Sequence, residues 1–453
     1  MSTHTAFSAV DLGSTFSGSC YTCTKDKDTI VHVTKWPHQE TFEKTPSVCL
    51  YDTTQHPPVM IKWGQAAVDH ATLYPNDDNT LLISEFKLKL FNLDSSKEAT
   101  TTADSAISYR TAAIDYLRAI HTYTLQQFLQ NNPTANEAQI RYVLTIPATW
   151  VNKDSENLRQ IAIEANVVSA TQPEAIQKAR LAVLSEAHAA SLFCEREYCA
   201  TSVTQLFKGQ RYAVVDLGGA TADLATYECT ENEQGHCQLA LESMDVCGST
   251  ILDQRMGAYL RDQMFFGCAD ERLIKLLVEQ FKTKVKVYYI YLSMPPNFKS
   301  LIESLIIENL LLRRDLTTSN QIRISHTEII KHVFDPVVNK VISLIRKQIR
   351  KSCTTIDTLF LLGGFGQSPY LQKKLHEEFI TSTNAVQRII VPENGYRASM
   401  RGGIHYGLDC AKAIPEFYLK DKAGNLFRNT LAYSNYDTLV AIGKGRERER
   451  ERG

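Results

Sequence analysis

Apolar and polar positions along the chain fall into two rhythms, one of period two and one of period 3.6. Short alternating or continuously apolar runs bounded by turn residues predict strands at Phe7–Val10, Phe16–Cys23, Arg141–Ile146, Ala179–Leu184, Tyr212–Val215, Ala222–Tyr227, Ile322–Ser325 and Thr358–Leu362. The segments TPSVCLYD and VMIKWGQAAVDHA read as a strand pair leading into a helix. Helical spacing predicts an amphipathic helix over Ala112–Gln130, with Ile114, Leu117, Ile120, Leu125 and Phe128 inward. Further helices are predicted over Lys153–Asn166 (Leu158, Ile161, Ile163 and Ala165 inward), Ala187–Arg196 and His326–Lys351 (Ile329, Val333, Val337, Val341, Ile342 and Ile345 inward). Residues 270–320 read as largely helical with a break at Pro295-Pro296, and Ser399–Leu408 as a helix whose glycines imply close packing on a neighbour. Strands and helices alternating through short connections argue an α/β fold.

Against this background one local pattern occurs twice. Tyr212–Tyr227 reads as a strand ending at Asp216, a turn through Gly218 and Gly219, and a return strand carrying Thr221 and Asp223. Residues 6–24 repeat it: a strand ending at Asp11, a turn through Gly13, Ser14 and Thr15, and a strand from Phe16. Glycines in such a turn let backbone N–H groups approach an anion, and a flanking acid suits a metal–phosphate complex. A single copy reads more readily as a plain hairpin; two copies about 200 residues apart point to a duplicated architecture with one phosphate-binding turn in each half. A third turn, Gly363, Gly364, Phe365 and Gly366, follows the buried strand TLFLL and precedes a helix starting near Ser368-Pro369, a placement that opens backbone to a ligand.

Composition narrows the class. Of 453 residues, 43% are hydrophobic and 22% charged, as in a globular protein with room for two domains. The formal net charge of −1 gives no global field toward nucleic acid or an acidic membrane. The apolar runs Val285–Met294 and Leu305–Leu312 are too short to span a bilayer, and the start carries no secretory signal pattern. Eleven cysteines without framework spacing suit a reducing compartment, the cytoplasm or the nucleus. The Cys20/Cys23 pair lies in a strand-like run without a partner pair at metal spacing, so its role reads as structural. Lys87 and Lys89 in ISEFKLKLF read either as phosphate-reaching lysines or as a solvated helix face, and His188 as a core or surface histidine rather than a proton carrier. Residues 445–453 alternate Arg and Glu without apolar anchors and read as part of a disordered charged tail from about 444.

Five segments in order resemble the actin-like ATPase superfamily and, within it, the seventy-kilodalton heat-shock chaperones: AVDLGSTFSG, VLTIPATWVNKDSENLRQIAIEANV, LSEAHAASLF, VVDLGGATADL and LFLLGGFGQSPYLQKKL. The wording of GGFGQSPYL and RGGIHYGLD is nearest to the divergent member-twelve branch. The resemblance covers roughly residues 5–410. It implies two lobes, each with a mixed five-stranded sheet and helices, at 1–205 and 206–410, with a C-terminal extension over 411–453. It also implies ATP or ADP with Mg²⁺ as ligands. Asp11 and Asp216 would hold the metal, largely through its water shell. Gly13, Ser14, Thr15 and Phe16 would cradle one side of the nucleotide, and Gly218, Gly219, Ala220, Thr221 and Gly248 the other. Lys87, with Lys89 close behind, matches the phosphate lysine, Glu186 the glutamate near the attacking water, and Asp223 a second acid. Gly363, Gly364, Phe365 and Gly366 would pass the adenosine.

Two departures from the family pattern shape the functional expectation. Ala220 stands where a third glycine is usual, which predicts a narrowed approach and hydrolysis impaired more than binding. The corner Ser-Glu-Ala-His lacks the family's proline after the glutamate, which predicts a looser corner. After residue 411 the length is too short for a complete peptide-binding domain. The reading is a chaperone-like nucleotide switch with slow ATP hydrolysis, a monomer whose partners are nucleotide and a protein client or co-chaperone, with neither nucleic acid nor membrane. The alternatives are a catalytically weak nucleotide-binding scaffold and a small-molecule kinase of the same superfamily.

Overall fold

The computed structural model describes residues 4–75, 77–90, 107–147, 150–199, 206–229, 236–267, 271–286, 307–308, 321–322, 324–352, 354–412, 418–420 and 426–428. It is a mixed α/β protein whose described residues form two compact units. One draws on Met1–Gln210, Ala225–Glu242 and Ala398–Gly453, the other on Arg211–Leu224 and Ser243–Arg397. The tail from 444 and most of 287–320 lie outside the described residues.

The first unit opens with β1 (Ala6–Asp11), β2 (Phe16–Cys23) and β3 (Asp26–His32), paired antiparallel in sequence. The short β4 (Lys44–Pro46) pairs with the start of β2. Next come β5 (Val48–Asp52), β6 (Val59–Trp63), α1 (Gly64–Leu73), β7 (Thr80–Ser84) and the short α2 (Phe86–Leu90), with β5 pairing both β6 and β7. The long helix α3 (Tyr109–Asn131) is capped by Ser108, whose hydroxyl accepts from Thr111 N–H at 3.0 Å. Its buried stripe runs Tyr109, Ala112, Ala113, Tyr116, Leu117, Ile120, Thr124 and Phe128, whereas Ile114 and Leu125 are only partly covered. The aromatic Tyr116 and small alanines turn the inner face slightly from where aliphatic spacing alone places it.

Three parallel strands then build the sheet: β8 (Ile140–Ile146) beside β1, and β9 (Leu181–Ser185) beside β8. Between them lie α4 (Val151–Glu164) and α5 (Glu174–Arg180). Ala179 and Arg180, expected in the strand, belong to this last helix, because Arg180 is buried with its guanidinium donating to the carbonyls of Ile140 and Glu137. Helix α6 (Glu186–Phe193) follows β9 directly. Cys20 is fully buried and Cys23 half-exposed, three residues apart and so on opposite faces of β2.

The second unit begins with β10 (Arg211–Leu217), whose neighbour β11 (Ala222–Cys229) starts in the same unit. After β12 (His236–Asp245) come α7 (Thr250–Tyr259) and α8 (Glu271–Gln280). Within the stretch expected to be helical, β13 (Ile307–Glu308) instead pairs with β14 (Gln321–Ile322). Ser325, expected to end a strand, caps α9 (His326–Ile329) in a reciprocal box with Glu328. The single long helix expected over His326–Lys351 is interrupted by a wider π turn at Ile330–Phe334 before α10 (Asp335–Lys351). The cause is Pro336, which has no N–H to give to the His332 carbonyl; Arg255 Nε donates to that oxygen at 2.9 Å instead.

Strand β15 (Ile356–Leu362) lies parallel to β10. It is followed by the single turn α11 (Gly363–Gly366), by α12 (Pro369–His376) with Ser368 as its cap, and by β16 (Val386–Ile390) parallel to β15. A continuous core joins Val215, Leu217, Leu252, Met256, Val337, Val341, Leu359 and Leu361. The chain returns to the first unit with α13 (Ala398–Lys412), and two short strands, Tyr418–Lys420 beside β12 and Leu426–Arg428 beside the first of them, follow it. The glycine-rich face of α13 packs as its small residues imply: Gly402 meets the Ala189 backbone of α6 so closely that a methyl has no space. Met400, Ile404 and Tyr406 join Phe7, Ala9 and Val143 in that unit's core.

Candidate functional site

In the first unit the carboxyl ends of β1, β8 and β9 deliver Asp11, Thr145 and the Ser185-Glu186 corner to one edge of the sheet, the position where parallel α/β sheets bind ligands. Asp11 is 6% exposed. Its Oδ2 accepts from Lys44 Nζ at 2.7 Å and its Oδ1 from Thr145 Oγ1 at 3.2 Å. Burial raises the pKa of this carboxyl, but Lys44 and Lys87 together outweigh it, so Asp11 titrates below its usual range. Lys87, on α2, is buried and places Nζ 2.6 Å from Glu186 Oε1. Burial dominates at Glu186 and holds its pKa above the usual value despite Lys87. Lys89 turns the other way, its ammonium 5.0 Å from the centre of the Tyr109 ring. The structure thus separates the two lysines, with Lys87 inside and Lys89 on the aromatic face.

The turn after Asp11 is locked by a closed ring of three hydrogen bonds. Gly13 N–H donates to Ser17 Oγ at 3.1 Å, Ser47 Oγ donates to the Gly13 carbonyl at 2.7 Å, and the two hydroxyls meet at 2.7 Å. Ser47 therefore gives its proton to the carbonyl, and Ser17 gives its own to Ser47. Ser47 N–H also takes the Thr15 carbonyl at 2.9 Å. Among the described residues the N–H groups of Ser14 and Thr15 have no protein acceptor. Phe16 is 45% exposed and meets Phe42 edge-on with ring centres 6.3 Å apart.

The corner without the family proline is held by side chains. Ser185 Oγ accepts from His188 N–H at 3.3 Å as the cap of α6, and donates to Glu242 Oε2 at 2.7 Å. Burial raises the Glu242 pKa to about 7. His188 is half-buried, its ring edge-on to Tyr406 with centres 6.3 Å apart.

In the second unit Asp216 is the penultimate residue of β10, and its partner in register is Leu362, just before Gly363. Gly363 has φ +75°, and a methyl there would meet Asp216 Oδ1 at 2.5 Å and collide with the Leu217 carbonyl. Glycine is therefore what allows the third turn to lie against the metal-candidate acid. The carbonyls of the Gly218–Ala220 turn all face the start of α7: Ser249 N–H reaches Gly218 O at 3.2 Å, Thr250 N–H reaches Gly219 O at 2.7 Å, and Gly248 N–H reaches Ala220 O at 2.9 Å. With the carbonyls taken, the N–H groups of Gly219 and Ala220 have no protein acceptor among the described residues. This is an amide nest suited to an anion. Ala220 is buried. Thr221 is buried and its carbonyl accepts from Gly218 N–H at 3.0 Å; Asp223 is also buried, in β11.

The Gly363–Gly366 segment is one helical turn rather than an open loop. Phe365, expected beside the adenosine, is 1% exposed in the second unit's core, which removes its ring from any ligand surface. Gly366 packs on Leu361, and Gly364 alone of the three glycines is half-exposed.

Sequence reasoning missed Lys44, Thr145, Ser17, Ser47 and Glu242. Thr145 lies near the end of an apolar strand, and the other four act through contacts between segments distant in sequence.

The donor chemistry of Asp11 and Asp216 is of the hard-oxygen kind that Mg²⁺ selects. At Asp11 one oxygen already accepts from an ammonium and the other from a hydroxyl, so a divalent cation bound directly there would compete with the Lys44 charge. Among the described residues no group of three or more His, Cys, Asp or Glu side chains could hold a metal ion, and no helix is long and apolar enough to cross a membrane.

No protein-family model matches the chain. Human heat shock 70 kDa protein 12A is 24% identical over 490 residues, covering 89% of this chain and 69% of that protein. Human heat shock 70 kDa protein 12B is 23% identical over 482 residues, covering 88% and 68%. The crystal structure of MreB5 of Spiroplasma citri bound to ADP superposes with a TM-score of 0.54 at 15% identity, covering 91% of this chain and 99% of that one. The chain has the actin-like ATPase fold, and over most of its length it is similar to the member-twelve heat-shock proteins of seventy kilodaltons.

Proposed function

We propose that this protein binds ATP and ADP through its two glycine turns and acts as a nucleotide-dependent switch of the heat-shock type with slow hydrolysis. One observation carries the reading: each unit holds a strand–acid–glycine turn with carbonyls tied back into the protein and two successive amides, Ser14–Thr15 and Gly219–Ala220, without a protein acceptor among the described residues. Such turns bind phosphate oxygens at little cost in reorganisation. In the first unit the Ser14 and Thr15 N–H groups donate to phosphate oxygens, and Lys87 and Lys44 supply positive charge nearby. In the second unit Gly219 and Ala220 N–H groups do the same, with Gly364 on the route to the adenosine. The ADP of the MreB5 structure and the heat-shock names of the sequence relatives support the same ligand class. The domain reading follows from it, with the two compact units serving as the lobes of the switch.

Hydrolysis needs Glu186 to orient a water, and Glu186 is engaged by Lys87 at 2.6 Å. Each turnover therefore requires that ion pair to loosen, which makes the reaction slow. The same pair favours a second reading, a nucleotide-binding scaffold without useful turnover.

Isothermal titration of the full chain with ATP and with ADP tests binding: saturable heat supports the proposal, and its absence at high protein concentration sinks it. Single-turnover hydrolysis then separates the readings. Under the switch the wild type outpaces Asp216→Asn; equal rates establish the scaffold.

A further inference from the structure

Asp11, Gly18 and Lys44 form one row across three strands. Asp11 pairs with Gly18 in the β1–β2 ladder, and Gly18 pairs with Lys44 in the β2–β4 ladder. Residues in register on neighbouring antiparallel strands point to the same face, so the Lys44 side chain must cross β2 to reach Asp11, over two strand spacings of together about 10 Å. It can do so because the middle position carries no side chain. A methyl on Gly18 would stand 3.0 Å from Lys44 Cγ and 2.8 Å from the Glu43 carbonyl. The result is an ammonium 2.7 Å from Asp11 Oδ2 with 17% of the lysine side chain exposed. This is a covalently tethered cation on the carboxylate that the family resemblance gives to a metal.

We infer that Lys44 takes the place of a divalent cation's charge at Asp11, so that nucleotide binding depends little on Mg²⁺. The inference rests on the proposed nucleotide binding. The Lys44 and Lys87 charges balance those of Asp11 and Glu186, which leaves the open amides of Ser14 and Thr15 as a neutral-to-positive cradle. A diphosphate entering there meets a fixed ammonium, which costs no ion capture from solution. An ammonium is also a point charge that can hold a carboxylate and a phosphate oxygen together.

Binding of ADP to the full chain, titrated in EDTA and in Mg²⁺, tests this. The wild type is expected to differ by less than about threefold between the two conditions. Lys44→Met, which keeps the aliphatic stem, is expected to lose about 30-fold in EDTA and to regain most of it in Mg²⁺, consistent with one lost charge-assisted contact. Lys44→Arg retains binding in EDTA. Wild-type binding that collapses in EDTA, or Lys44→Met binding that is unchanged there, overturns the inference while leaving nucleotide binding intact. No binding in either condition overturns both. Melting curves report whether Lys44→Met folds, and if it does not, the wild-type comparison decides.

Discussion

Lys87 and Glu186 meet at 2.6 Å although 99 positions separate them, and only 2% of the lysine side chain is exposed. Removing one partner strands the other charge in a poorly solvated place. Lys87→Met is expected to destabilise the fold by about 3–5 kcal/mol, and the double variant Lys87→Met/Glu186→Gln to recover much of that loss. Urea unfolding of the wild type, both single variants and the double variant closes the cycle. Additive losses would show that the pair is not coupled.

The hydrogen-bonded ring of Gly13, Ser17 and Ser47 fixes the first glycine turn from below. Ser47→Ala deletes the hydroxyl that serves the Gly13 carbonyl and leaves buried Ser17 without its acceptor, at a cost of about 1–3 kcal/mol. Hydrogen exchange should show the loss concentrated in residues 11–18. An unchanged exchange profile would show that the turn does not rely on the ring.

Glu242 supplies a pH dependence whose sign is fixed. Its folded pKa is about 7 against a usual 4.5. Between those values the folded protein keeps a proton that the unfolded chain gives up, so stability falls as pH rises through that window and is level above it. The loss amounts to about 3 kcal/mol from the size of the shift. Glu242→Gln, which keeps the Ser185 hydroxyl satisfied, should flatten the slope of melting temperature between pH 5 and pH 8. An equal slope in the variant would place the titration elsewhere.

Gly363 lies at a positive φ against Asp216. Gly363→Ala is expected to cost about 1–2 kcal/mol from the left-handed backbone alone, with the contacts to Asp216 and the Leu217 carbonyl adding to it. Differential scanning calorimetry measures the stability, and ATP titration of the same variant measures the displaced acid. A wild-type melting temperature would refute the contact.

The repeated turns were legible because their signals are local: an apolar strand, an acid, glycines and a hydroxyl within about ten residues. Helices α4 and α10 were legible for the same reason, since Leu158, Ile161, Val337 and Val341 repeat at helical spacing and are all buried. Lys44 was not legible, because its role exists only once β4 pairs with β2 and β2 with β1, and β4 is three residues long. Glu242 is likewise defined by a partner 57 residues away. Arg180 read as strand because its burial depends on carbonyls of another segment. The π turn before Pro336 and the burial of Phe365 are tertiary outcomes that a one-dimensional pattern does not carry.

The three bonds from Gly218–Ala220 to Gly248–Thr250 have a mechanical meaning. They fasten the second glycine turn to the first turn of α7, and Arg255 on that helix is fastened to the carbonyl that Pro336 leaves open between α9 and α10. The chain of fasteners is short and made of backbone groups and one guanidinium, so a displacement at the turn has little slack to absorb it. Helix α7 thus links the turn to the His332 carbonyl, four residues before Pro336, and a displacement of the turn is passed along it.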